Sequence, residues 1–563
     1  MMLSVFLFFL VLGLWIGINH VRRRRPPPGT RHLPGPRAGF PLVGRVHDIP
    51  PHMSWIKFYE WSKKYGPIYQ MEMFGSVHIW LSSEKVAHDL LAKRSAIYSD
   101  RPVITNLPDN RTSGDYLALQ GRTDTWKRQR KLSHRLISAS GADSYHGYSA
   151  RERDRLLHLM CREPSKYIEW IEQFTSRTVS RLSWGTPHPA PLLRKTTFGL
   201  LETISPSGAL PNVVPWLGSL PLALNPWRRK EMERHGVEGT LFNGNVAYVQ
   251  KMLSSDEAAP SLVRTYLQNN HAPQEAPQDA PEKTRSDAVG ISEATYVVGQ
   301  MAIAGALTIG SPIQSFLLAM CHYPYWLGRL QAEIDTVLLG RCPEWSDAPS
   351  LPLLRAVVKE VIRWRPPVPT GKSRVPFPCL SFPMSWFADG RTCAGIPHAV
   401  EKDDIYEGYF IPAGATVHAL EWAMTRDESV YPKPECFNPG RWLSPEYPTY
   451  REPLSVHPNL NGHSQFGFGR RVCVGTAFAE QSLFLAMGGL AWALDIRKKR
   501  DPEIETEVPV HWNDFTPLLI AKPAAFDFDV APRRPDIVDR LSNLYEAAKE
   551  EEQDDVYNTT QNP

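Results

Sequence analysis

No CxxC pair, no evenly spaced cysteine framework and no internal repeat of about 20 to 50 residues occurs in this chain. The seven cysteines (161, 321, 342, 379, 393, 436 and 473) stand singly, which argues against a disulfide scaffold and a zinc ribbon. Without a repeat, a solenoid is excluded as well. An excess of one charge is also missing: 63 basic side chains against 59 acidic ones leave a net +4, so the composition gives no reason to expect nucleic acid as a partner. Apolar residues make up 42% and charged ones 22%, the balance of a globular protein with a large core. Proline is the one excess, 51 of 563 residues, roughly twice ordinary usage. The length alone suggests three or four domains, but no second apolar unit repeats, and one large, mostly helical domain is the expectation.

The first 21 residues read as an uncleaved membrane anchor. An apolar run over residues 2–18 is followed, not preceded, by positive charge at 22–25, the reverse of a cleaved signal peptide. The alternative, an amphipathic surface helix, lacks a polar face. Arginines behind the run place the rest of the chain on the cytosolic side, in a eukaryote at the endoplasmic reticulum. Residues 22–36 form a basic, proline-rich hinge, and 37–535 the main domain. Residues 546–563 are acidic and polar, and read as a disordered, solvated tail or a short surface helix. A polar, proline-rich loop at 273–287 precedes a long apolar helix over 294–320. Further helices are expected at 84–94, 125–136, 325–339, 353–364 and 476–494, with strands over 68–81 and after Gly408.

The chemistry concentrates at residues 466–475, FGFGRRVCVG. Cys473 lies between glycines in a tight loop that leads into an apolar helix. Glycines let backbone amides approach the sulfur, and the helix N-terminus favours a thiolate. A thiolate so held is a metal ligand or a nucleophile. The pattern of Phe466, Gly469, Arg471, Cys473 and Gly475 is not that of a merely buried cysteine.

This segment resembles the haem-binding loop of the cytochromes P450, and further motifs of that family follow in the right order. Glu360 and Arg363 stand as ExxR, Pro439 and Arg441 belong to FNPGRW, and Trp126 and Arg130 match WxxxR on the basic helix. The resemblance covers about residues 30–535 and is closest to fungal microsomal members of the O-methylsterigmatocystin oxidoreductase-like kind. It implies a mainly α fold with small β-sheets behind an N-terminal transmembrane helix, and haem b as cofactor with Cys473 as axial iron ligand. It also implies that Trp126, Arg130, Arg471 and His398 hold the haem propionates. Glu360, Arg363 and Arg441 are implied to form a buried ion network behind the haem. The implied reaction is RH + O₂ + 2e⁻ + 2H⁺ → ROH + H₂O on an apolar small molecule, in secondary-metabolite biosynthesis. With no flavin or ferredoxin module in the chain, electrons are implied to come from NADPH–cytochrome P450 reductase, with cytochrome b5 as a further donor. Lys127, Arg128 and Lys131 would either form the docking face or be a solvated helix face. The pocket would draw on residues 101–116, 198–249, 301–308 and 515–519 and on the 369–396 join. A haem-containing binding or sensor protein is the alternative from another class.

Two departures from the family pattern stand out. In Ala304-Gly305-Ala306-Leu307-Thr308, Gly305 is expected to open space above the haem and Thr308 to hydrogen-bond dioxygen or its water. Leu307 replaces the usual acid and cannot relay a proton. Either protons arrive through Thr308, water or the substrate, or the chemistry is diverted toward desaturation, coupling or rearrangement. Pro312 should kink this helix. Second, the 24 residues 372–395 interrupt a join that the family makes directly. Their codons permit a splice donor at Gly371-Lys372-Ser373, a branch sequence at Ala388-Asp389 and an acceptor at Ala394-Gly395. A translated intron is one reading of this segment, a genuine loop insertion the other.

Overall fold

The computed structural model describes residues 26–36, 44–50, 53–73, 75–139, 142–205, 209–212, 217–218, 220–269, 289–369, 396–501 and 506–553. The expected anchor at 1–21, the loop at 273–287 and the interrupting segment 372–395 lie outside them.

The described chain is mainly helical, with three small sheets. After β1 (Arg31–His32) come α1 (Ser54–Tyr65), β2 (Ile68–Met73) and β3 (Ser76–Leu81). A helical run follows, α2 (Asp124–Ala139), α3 (Ala142–Arg162), α4 (Tyr167–Trp184), α5 (Ala190–Ile204), α6 (Pro226–Ser254) and α7 (Leu262–Asn269). Next are α8 (Ile291–Thr308), α9 (Gly310–His322), α10 (Pro324–Leu338) and α11 (Pro352–Trp364). The strands β4 (His398–Ala399), β5 (Asp404–Tyr406), β6 (Tyr409–Ile411) and β7 (Thr416–Ala419) precede α12 (Thr476–Ala493), β8 (Leu494–Lys498), β9 (Phe528–Pro532) and α13 (Pro535–Gln553). The largest sheet runs β2-β3-β7-β4, with β3 and β7 parallel and the outer pairs antiparallel.

Two helices set the frame. Every residue of α12 from Gln481 to Ala493 is buried, so it is apolar all round, as a helix in the middle of a core must be. The other is α8, which packs against α2, α4, α5, α6 and α7. The sequence predicts one long helix with a kink at Pro312, and the structure breaks it at Ile309, between α8 and α9. Proline has no N–H to offer the Thr308 carbonyl, so the ladder is interrupted where Thr308 ends α8. Together α8 and α9 (Ile291–His322) are the one helical stretch among the described residues long and apolar enough to cross a membrane, and most of it is buried in the core.

From Glu546 the sequence leaves a solvated tail and a short surface helix open, and as far as Gln553 the structure has a helix: α13 continues through that residue and packs on α3. Ile537 and Leu541 are buried, Tyr545 stacks on His158 at 4.3 Å, and Glu552 closes on Arg177 and Arg181 of α4. Those two arginines share the buried carboxylate of Glu152 at 2.6 Å each.

Candidate active site

The cysteine loop is built from two short 3₁₀ turns, Ser464–Phe466 and Gly469–Arg471. Gly469 has φ +56°, and a Cβ there would stand 2.3 Å from the Leu91 carbonyl oxygen. Conformation and close approach both demand glycine. The Cys473 amide donates to the Phe466 carbonyl at 2.7 Å, which folds the loop back and leaves the sulfur at the entrance of α12.

Cys473 is exposed, yet loss of hydration is the largest influence on its thiol and pushes the pKa up. Both hold for a sulfur that opens on a space inside the protein. The Gly475 amide, the Arg130 charge and the Thr476 hydroxyl oppose that shift without overcoming it. The loop amides and the helix N-terminus favour a thiolate as expected, but in the protein by itself burial outweighs them. In haem-free protein, alkylation of Cys473 should accordingly rise only at more alkaline pH than for an ordinary thiol, since a raised pKa lowers the thiolate fraction at any given pH. Mass-spectrometric labelling across a pH series checks this; half-maximal labelling below the usual cysteine range would contradict it.

Next to the sulfur is a cluster of guanidinium groups. Arg130 donates through Nη2 to the Val472 carbonyl. Arg471 is held by the Ser99 carbonyl at 2.8 Å and the Gln120 carbonyl at 2.7 Å, with its guanidinium 3.8 Å from the Trp126 ring centroid. Arg101, buried, donates to the Ile396 and Pro397 carbonyls at 2.7 Å. Burial and then mutual repulsion pull Arg101 down to about 9 and Arg471 to about 8. Arg130 Nε and Arg471 Nη1 are buried without a hydrogen-bond partner. The neighbouring carboxylate, Asp100, already takes Arg111 Nη1 at 2.9 Å and the Arg122 amide at 2.7 Å. Buried cations of this kind call for an anion. A cofactor carrying two carboxylates beside an iron-binding thiol fits these residues, so the implied haem and the donor set agree.

Arg101 in this cluster is an addition. The sequence suggests it only as part of the pocket lining, because it belongs to no motif. His398 stands beside this cluster. Its Nδ1 lies 2.7 Å from the Tyr98 carbonyl, and in the protein by itself burial, followed by the Arg101 charge, holds its pKa well below the ordinary value. The imidazole ties β4 to the Tyr98 turn.

On α8 the exposed stripe is narrow. Ala304 is exposed and Met301 and Thr308 are half-buried, while Ala302, Ile303 and Leu307 are buried. The Thr308 hydroxyl donates to the Ala304 carbonyl at 2.9 Å. Gly305 does not open space on that side: an added Cβ would stand 2.6 Å from Val179 Cγ1 on α4. Glycine there allows α8 and α4 to approach closely. Leu307 belongs to the same apolar cluster as Val179, Leu182, Leu200 and Leu519.

Glu360, Arg363 and Arg441 come together as expected, each at most 1% exposed. The Glu360 carboxylate accepts from Arg363 Nε and Nη2 at 2.8 Å. It also accepts from Arg441 Nε and Trp442 Nε1 at 3.0 Å and from the Asn438 amide at 2.9 Å. On the basic face of α2, Lys127 pairs with Asp124 at 2.7 Å and Arg128 lies 3.5 Å from Glu293 of α8.

Comparison with known proteins agrees with this geometry. The family description "Cytochrome P450" matches residues 33–382 and 392–506. The chain is 30% identical over 524 residues to cytochrome P450 monooxygenase 58 of Postia placenta, covering 91% of this chain and 90% of that protein. To cytochrome P450 monooxygenase fogE of Aspergillus ruber it is 28% identical over 540 residues, covering 94% and 91% respectively. Among solved structures, a zebra fish cytochrome P450 with abiraterone superposes with a TM-score of 0.63 at 19% identity, covering 86% of this chain and all of that one.

Proposed function

The chain belongs to the cytochrome P450 family, and from that membership we propose that it is a haem-thiolate monooxygenase of an apolar small molecule, active in fungal secondary metabolism. The observation that carries the reading is the cluster of buried arginines beside Cys473, bonded to carbonyls but to no carboxylate, with Arg130 Nε and Arg471 Nη1 left without a partner. When bound, the haem supplies dioxygen activation, which a thiolate ligand favours. In this reading Cys473 Sγ would hold the haem iron, its negative charge favoured by the Gly475 amide, Arg130 and Thr476. Arg101, Arg130 and Arg471 would hold the propionates, and Trp126 keeps Arg471 in place by cation–π stacking. Thr308 commits its hydroxyl proton to the Ala304 carbonyl, so its Oγ1 is left to accept a hydrogen bond from water. Leu307, set in an apolar cluster, takes no part in moving protons. We therefore favour hydroxylation with Thr308 and water handling protons over a diverted reaction.

The family generally draws electrons from a separate reductase, and we propose a membrane-bound, NADPH-dependent one. Residues 1–21 would anchor the chain in the endoplasmic reticulum with the catalytic domain cytosolic. A reduced carbon-monoxide spectrum tests the thiolate ligand, and NADPH consumption with added reductase tests turnover. Loss of both would overturn the assignment.

For residues 372–395 we propose a translated intron. Residues 383–391, which the family description leaves unmatched, fall inside it. Deleting 372–395 should raise the haem content of purified protein several-fold, measured as the Soret-to-protein absorbance ratio. Equal haem content with and without the segment would favour a genuine loop.

A further inference from the structure

A buried polar network spans α6, α8 and the loop before α2. Glu231, Arg234 and Glu238 lie on one side of α6 at helical spacing, the two carboxylates buried and the arginine nearly so. Arg234 grips both Glu231 oxygens at 2.8 Å and donates through Nη1 to Glu238 Oε2. The Tyr116 hydroxyl donates to Glu231 Oε1 at 3.0 Å. The other Glu238 oxygen, Oε1, accepts from Gln300 Nε2 of α8 at 2.6 Å.

This arrangement fixes the Gln300 amide. Its NH₂ end is committed to a carboxylate that Arg234 holds in place, so its carbonyl end points the other way. Gln300 is buried, and among the described residues its one side-chain hydrogen bond is the one that Nε2 gives to Glu238, so Oε1 has no protein donor. Gln300 lies one helical turn before the exposed Ala304 and two before Thr308, a spacing that puts all three on one side of α8. An anchored acceptor with no protein donor suits a ligand that brings its own.

We propose that Gln300 is the substrate-orienting residue of this enzyme. It accepts a hydrogen bond from a hydroxyl or N–H of an otherwise apolar substrate, about 6 Å along α8 from the level of Ala304. Glu238 and Arg234 are positioning residues that keep the amide from flipping. This rests on the monooxygenase reading and narrows its substrate class to molecules already carrying a polar hydrogen.

The test uses the haem-loaded full chain and three isomeric (hydroxyphenyl)imidazoles, with phenylimidazole and the matching methoxy compounds as references. Binding is read from the shift of the Soret band. At least one hydroxy isomer should bind roughly threefold to tenfold more tightly than its methoxy analogue. That preference should collapse to about one in Gln300→Met, and shrink in Glu238→Gln, where the amide loses its anchor. Glu238→Gln also serves if Gln300→Met does not take up haem. No preference in the wild type, or one that survives both substitutions, would overturn the proposal while leaving the family reading intact. If phenylimidazole itself caused no shift, the haem site reading would fall and the proposal with it.

Discussion

Cys473→Ser should abolish the long-wavelength Soret band of the reduced carbon-monoxide complex and take NADPH-dependent product formation below detection. Serine preserves the shape of the loop, since the Phe466 carbonyl is bonded by the residue 473 amide and not by its side chain. What it removes is the anionic sulfur. Loss of a hydrogen-bonding partner behind a metal ligand typically costs 10–100-fold, so loss of the ligand itself should exceed about a hundredfold. Other cysteines are poor substitutes. This holds for three of them among the described residues: burial pushes Cys161 up to about 11 and Cys321 and Cys342 up to about 12, which keeps those thiols neutral. A serine variant that retained the band would move the ligand elsewhere in the chain and dismantle the site described here.

Glu360→Gln is the substitution expected to cost most in stability. Five donors converge on that carboxylate, two of them from Arg363 and one from Arg441. Neutralising it leaves two guanidinium groups without their counter-charge, in positions at most 1% exposed. An amide NH₂ would moreover face donors where an oxygen stood. Breaking a buried pair from one side costs about 3–5 kcal/mol, against a total stability of roughly 5–15 kcal/mol for a typical domain. The urea midpoint of haem-loaded protein should fall sharply, with much of the expressed variant lacking haem. The control is Glu60→Gln, which breaks the exposed 2.8 Å pair with Lys57 and should cost under about 1 kcal/mol. Equal midpoints for the two variants would mean that the network does not support the fold.

The motif residues were legible because each stands at a short spacing in a helix or tight loop, where local rules apply. WxxxR, ExxR, FNPGRW and the cysteine loop all fall where their patterns predict, and the apolar period found α8 and α9 as well as the break before Pro312. Arg101 was not legible as part of the arginine cluster. Its neighbours there come from α2 and the cysteine loop, far away in sequence, and no motif marks it. For the same reason the role of Gly305 was misjudged: a glycine signals room, but only packing tells whether a ligand or Val179 fills it. Burial, which no short pattern reports, pulls His398 toward its neutral form and pushes the Cys473 thiol up in the protein by itself. Beyond Glu546 the acidic composition left tail and helix open, because the residues that dock α13, Ile537 and Leu541, lie ahead of that segment.

That last helix has a bearing on how the protein is made. Arg177 and Arg181 share Glu152 early in the chain, but their other carboxylate, Glu552, is separated from Arg177 by 375 positions. While the chain is being synthesised, α3 and α4 emerge long before α13 and must wait with two arginines sharing a single acid and an open apolar seat for Ile537 and Leu541. Domain assembly is therefore completed only when the C-terminus clears the ribosome. A message that ends early, even downstream of every haem-binding motif, would release a chain with that seat uncovered, and such a chain would be a substrate for chaperones and proteases before it could be an enzyme.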